Sequence, residues 1–91
     1  DIKLIKLKSG EELIGDVTVV GDSVTIANPC QIIPTQDGMG FAPWPPFSKN
    51  SNVTIKTDWT ICITEPVDAA RDAWSSKFGS GIILPNVQLN G

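Results

Sequence analysis

The stretch Lys6-Leu7-Lys8-Ser9-Gly10-Glu11-Glu12-Leu13-Ile14-Gly15-Asp16-Val17 reads as a β-hairpin. Ser9-Gly10 supplies the turn. Beyond it, Leu13, Gly15, Val17 and Val19 point to one face, and Ile14, Asp16, Thr18 and Val20 to the other. Gly15 weakens the strand interior unless it serves a sharp bend or a close backbone approach. A strand bent there pairs on both sides and closes a small barrel. Upstream, the apolar residues shift from Ile2 and Leu4 to Ile5 and Leu7. That shift predicts a bulge, or a strand buried partly on both faces.

The same alternation continues downstream. Gly21-Asp22 is a turn, and Ser23 to Ala27 is the third strand. Asn28-Pro29 interrupts it, because proline offers no ladder donor. Cys30 to Ile33 resumes it, and Asp37-Gly38 signals a hairpin. A fourth strand opens at Gly40-Phe41-Ala42 and continues at Val53-Thr54-Ile55. Between these pieces, Pro43-Trp44-Pro45-Pro46-Phe47 is extended and rigid. Lys56-Thr57-Asp58 turns, and Trp59 to Thr64 is the last strand. Pro66 to Phe78 is a helix with an apolar stripe of Val67, Ala70, Trp74 and Phe78, and Gly79 is its C′ residue. The expectation is one mainly β domain over 1–91: a bent five-stranded antiparallel barrel over 2–64, a C-terminal helix over 66–78, and a tail over 79–91 carrying a strand-like run, Gly81 to Leu84.

Composition removes several chemistries. The chain has 91 residues and no histidine, so the commonest general base and metal ligand are missing. Cys30 and Cys62 lack metal-ligand spacing, and no metal site or other cofactor is expected. One disulfide is conceivable, but free thiols are favoured, with Cys62 read as a small buried hydrophobe in an apolar strand. The acids Glu11, Glu12, Asp68 and Asp72 have no partnering base and no glycine-rich phosphate loop, so an enzyme is not expected. Net charge is −3, from ten acids against seven bases, which argues against a free-standing polyanion binder. No signal peptide and no run of about 20 apolar residues is evident, which predicts a cytoplasmic, non-membrane protein.

The pattern of Leu7, Gly10, Gly15, Val17 and Asp22, followed by Ile55-Lys56-Thr57-Asp58, Ile61 and Ile63, resembles the two motifs of the Sm-like fold shared by Sm, LSm and Hfq proteins. That fold is a small SH3-like barrel. Lys8-Ser9-Gly10-Glu11-Glu12, Pro43-Trp44-Pro45-Pro46-Phe47 and Phe78-Gly79-Ser80-Gly81-Ile82 are similar to a group of small Sm-like proteins of marine phages; a phage-encoded chain would work in the host cytoplasm. The resemblance implies a homo-oligomeric ring formed by edge pairing of the fourth strand with the fifth of the next subunit. It also implies non-catalytic binding of RNA or single-stranded DNA. Departures are plain: the family's RNA-contacting asparagine is Thr25 here, its methionine or aromatic is Val24, and its arginine-glycine pair is Lys56-Thr57. The family's helix precedes its barrel, whereas the helix signal here follows it.

Carried over residue by residue, the candidate nucleic-acid contacts are Lys56 and Thr57 at the pore-facing turn, and Asp22, Thr25 and Asn28 on the other loop. Each has a plainer reading. Lys56 and Thr57 also suit a solvated turn, and Asp22 and Asn28 are ordinary turn residues. Trp44 and Phe47 are either a stacking platform or, as favoured, packing residues. Lys3, Lys6 and Lys8 read as a surface balanced by Glu11 and Glu12. The alternative function is an oligomeric scaffold that binds a protein partner and no nucleic acid.

Overall fold

A computed structural model describes residues 1–79. The expected tail run from Gly81 to Leu84 lies outside the described residues. Six antiparallel strands form one sheet: β1 (Ile2–Leu7), β2 (Glu12–Val20), β3 (Ser23–Thr35), β4 (Gly38–Pro43), β5 (Asn52–Lys56) and β6 (Thr60–Thr64). Their order is β4-β3-β2-β1-β6, with β5 beside β3. The expected count of five is corrected to six. Gly40 to Ala42 and Val53 to Ile55 are not one strand, because the proline segment between them cannot continue a ladder. β5 pairs with Ser23–Ala27 and β4 with Cys30–Thr35, so one long strand serves two partners along the same edge. No ladder joins β5 to β6 among the described residues.

The bend is made where β2 crosses β3. Ile14 is opposite Cys30 and Asp16 is opposite Ala27, so Gly15 faces both Asn28 and Pro29. The extra residue is a bulge on β3, and Asn28 takes a left-handed φ of 51° there, which asparagine tolerates better than most residues. Gly15 is needed for space. A Cβ there would overlap Ile26 Cγ2 and sit 2.9 Å from the Ala27 carbonyl oxygen. Asn28-Pro29 therefore bends β3 without ending it. Pro34 is also accommodated, since β2 pairing stops at Gln31 and leaves that edge free.

The bulge divides the core. Ile5, Leu7, Leu13, Val17, Val24 and Ile26 form one cluster, with Trp44, Ile55 and Ile63 against it. On the other face, Ile14, Cys30, Ala70 and Trp74 pack with Ile2, Leu4, Ile32, Phe41 and Phe78. The even-to-odd shift in β1 is explained: Ile2 and Leu4 face the helix, while Ile5 and Leu7 face the inner cluster.

The helix is shorter than expected. α1 spans Asp68–Trp74 and passes into a π-helical turn, Ser75–Gly79. Pro66 lies buried before the N-cap, Val67, which is itself exposed. Ala70 and Trp74 carry the buried stripe, and the Trp74 indole Nε1–H donates to the Asn28 carbonyl at 3.1 Å. Glu65 accepts hydrogen bonds from Lys3 and, at 2.7 Å, from Arg71, tying β1 to the helix entry. Lys3 thus finds an acid that the sequence did not suggest. Among the described residues Lys6 and Lys8 form no ion pair, and Glu11 accepts from the Ser9 hydroxyl instead.

Cys62 was expected to be buried, and it is exposed; Cys30 is the buried thiol, and both are free. The register of β1 against β6 slips between Lys6 and Leu7, which leaves Ile61 unpaired and pushes it outward. Only Ile63 of β6 reaches the inner cluster. Among the described residues, no helix is long and apolar enough to cross a membrane.

Gly15→Ala should cost about 1–3 kcal/mol, the usual cost of overpacking, read as a lower urea midpoint. An unchanged midpoint would mean that β3 yields freely and that the close approach is unimportant.

Thiol reactivity should separate the cysteines. Burial pushes the Cys30 thiol up, and the Lys77 ammonium only partly offsets this. Cys62 should label quickly in the native protein and Cys30 only on unfolding. Equal labelling rates would contradict the burial of Cys30.

Hydrogen bonding from Lys3, with the charges of Lys3 and Arg71, holds the Glu65 carboxyl below its ordinary range. Stability from a depressed carboxyl is present above its unfolded pKa and is lost as pH falls through its folded value. Glu65→Gln should therefore flatten the acid limb of a plot of urea midpoint against pH and leave the neutral region flat. An acid limb as steep as in the parent chain would exclude Glu65 as a contributor.

Candidate nucleic-acid interface

Four of the five candidate residues gather at one place. The β2–β3 turn meets the junction of β5 with the 3-10 turn Thr57–Trp59. Ser23 is opposite Lys56 and Thr25 is opposite Thr54, so these side chains share a face. The Thr57 N–H donates to the Asp22 carbonyl at 2.8 Å, which fixes the two turns together. Lys56 Nζ lies 3.2 Å from Asp22 Oδ2. The hydroxyls of Thr25 and Thr54 are 3.0 Å apart and hydrogen-bonded. Thr18 stands on the other side of Thr25, extending the row of hydroxyls across three strands.

The electrostatics of this tip are mixed. Lys56 and Asp22 are 70% and 76% exposed, and such pairs contribute only about 0–1 kcal/mol. An incoming phosphate oxygen can therefore replace Asp22 as the partner of Lys56 at small cost. Until then the carboxylate offsets the charge of the lysine. The hydroxyls add donors that need no charge.

Asn28 is not part of this group. It occupies the bulge, about 10 Å further along β3 by strand rise. Its N–H donates to the Ser51 carbonyl at 2.6 Å, and its carbonyl accepts the Trp74 indole. Asn28 instead lines a cavity of about 180 Å³ with Trp44, Ser48, Asn50, Lys77 and Phe78. Trp44 packs against the inner core cluster and its N–H donates to the Pro29 carbonyl at 3.0 Å, as its packing reading requires. Phe47, its neighbour in the proline segment, is fully exposed.

Sequence reasoning missed this cavity. In the sequence, Ser48 and Asn50 lie in a polar run from Ser48 to Asn52, and Lys77 lies near the end of the helix signal, where a cation suits the macrodipole. No local signal links them, because the link is the docking of the helix end and the proline segment on the same bulge.

The outer edges of β5 and β6 carry no partner strand among the described residues. Ile61 and Trp59 are exposed beside the β6 edge, while Val53 and Ile55 of β5 are half-buried. No family model matches this sequence, and no curated protein matches it.

Proposed function

We propose that this chain is an Sm-like subunit that assembles head to tail into a homo-oligomeric ring and binds RNA or single-stranded DNA without catalysis. The observation that carries the reading is the junction of Asp22, Lys56 and Thr57. It is held by a main-chain hydrogen bond and presents one lysine per subunit beside a row of hydroxyls. Setting β4 aside as an addition, five strands remain, with the second passing the third at a glycine. In that count β5 and β6 are the fourth and fifth, the strands with unpartnered outer edges. Pairing them between subunits covers both edges. A ring would repeat Lys56 into a positive belt despite the net charge of −3.

A second reading, an oligomeric scaffold for a protein partner, draws on the ion pair itself. Lys56 already has a carboxylate, and the chain is acidic overall.

Fluorescence anisotropy with uridine-rich and adenine-rich oligomers separates the two. The nucleic-acid reading expects binding that weakens as salt rises, and weaker binding by Lys56→Ala. No binding at micromolar protein, with the oligomer intact by light scattering, favours the scaffold. A monomer at high concentration would overturn the edge-pairing proposal in both.

A further inference from the structure

We propose that the cavity between the β3 bulge, the proline segment and the end of the helix binds a single nucleotide unit: a planar heteroaromatic ring bearing an anionic group. The inference deepens the nucleic-acid reading and rests on a different place in the fold.

Size sets the first limit. Cavities for drug-sized ligands run to roughly 300–1,000 Å³. At about 180 Å³ this one admits one ring system and little more. Its walls favour a flat ring. Trp44 and Phe78 give aromatic surface, and Pro29, Pro43 and Pro45 give rigid apolar surface. Phe78 is held in place by Trp74, with ring centroids 5.3 Å apart.

The polar groups suit a base edge. Asn28 and Asn50 bring carboxamides that offer both donors and acceptors, and Ser48 and Ser51 bring hydroxyls. The main-chain N–H and carbonyl of Asn28 are already satisfied by Ser51 and Trp74. Among the described residues its carboxamide forms no hydrogen bond. Carboxamides and hydroxyls paired with stacking surface are the usual means of reading an unstacked base.

Charge selects the anion. Among the described residues lining the cavity, Lys77 is the sole ionised side chain and none is an acid, in a chain of net charge −3. Among the described residues Lys77 forms no ion pair; its ammonium lies 5.8 Å from the Phe78 ring centroid. A base against Phe78 therefore places its phosphate within reach of Lys77. The unit is either a free nucleotide or one residue of a single strand.

Titration with adenosine monophosphate, adenosine and ribose 5-phosphate, followed by the indole N–H resonances, tests the proposal on the full chain. Adenosine monophosphate should move the Trp44 and Trp74 signals more than that of Trp59, and ribose 5-phosphate should move none. Lys77→Glu, an exposed change, should weaken the monophosphate about fivefold and leave adenosine unchanged. Phe78→Ala should weaken both ligands by roughly five- to 150-fold. Asn50→Ala, in an exposed loop, gives a version of the base test that does not touch the helix. Weaker oligomer binding by Lys77→Glu assigns the unit to a strand; an effect on the monophosphate alone assigns it to a free nucleotide. Unmoved indole signals at millimolar monophosphate, or a Lys77→Glu chain that binds both ligands normally, overturns the proposal. Absence of oligonucleotide binding with these shifts intact would overturn only the reading of the chain as an RNA or single-stranded DNA binder.

Discussion

The contact of Gly15 with the Asn28-Pro29 bulge is the constraint from which the other features follow. Without a Cβ, β2 runs directly over the Ala27 carbonyl, and β3 absorbs one extra residue. The bulge reverses the alternation of β3, so Cys30 turns toward the helix beside Ile14, while Val24 and Ile26 face the other way with Val17. It also exposes two carbonyls that need donors. Trp74 satisfies that of Asn28, and the Trp44 N–H satisfies that of Pro29. The helix and the proline segment are thus both anchored on the bulge, and the cavity is the space between them.

Burial on both faces suits so small a chain. A domain of this size has little surface to bury in a single core. Here one face of the sheet buries Ile5, Leu7, Leu13, Val24 and Ile26, and the other packs against Ala70, Trp74 and Phe78. Exposed apolar side chains remain near the β6 edge, at Trp59 and Ile61. An unpaired edge with apolar side chains favours pairing with another chain, and the assembly proposed above is one way to cover it.

Charge is placed sparingly. Lys3 and Arg71 meet Glu65, and Lys56 meets Asp22. At the hydroxyl-lined tip the lysine is shared with an acid, whereas the described residues of the cavity bring a cation and no acid. The two places would respond differently to an anion: the tip by exchange of partners, the cavity by a new ion pair.

The mainly β architecture, the hairpin at Ser9-Gly10 and the special status of Gly15 were legible because period-two alternation and a mid-strand glycine are local signals. So was the packing surface of the helix at Ala70 and Trp74. Strand count was not legible, because the division of β3 between β4 and β5 depends on which partner each half meets. Cys62 faces outward by alternation with the inward Ile63, whereas the exposure of Ile61 was hidden because alternation cannot reveal a register slip against β1. In the candidate site, Asp22, Lys56 and Thr57 were found from motif spacing, but their mutual ion pair and hydrogen bond depend on two turns meeting. The sequence by itself determined the mainly β architecture, the hairpin at Ser9-Gly10 and the need for a glycine at position 15. Only the tertiary structure decided that Asn28 leaves the tip and joins Lys77 and Phe78 at a cavity. Residues so far apart in the chain are brought together by packing on a shared bulge, and no periodicity encodes that.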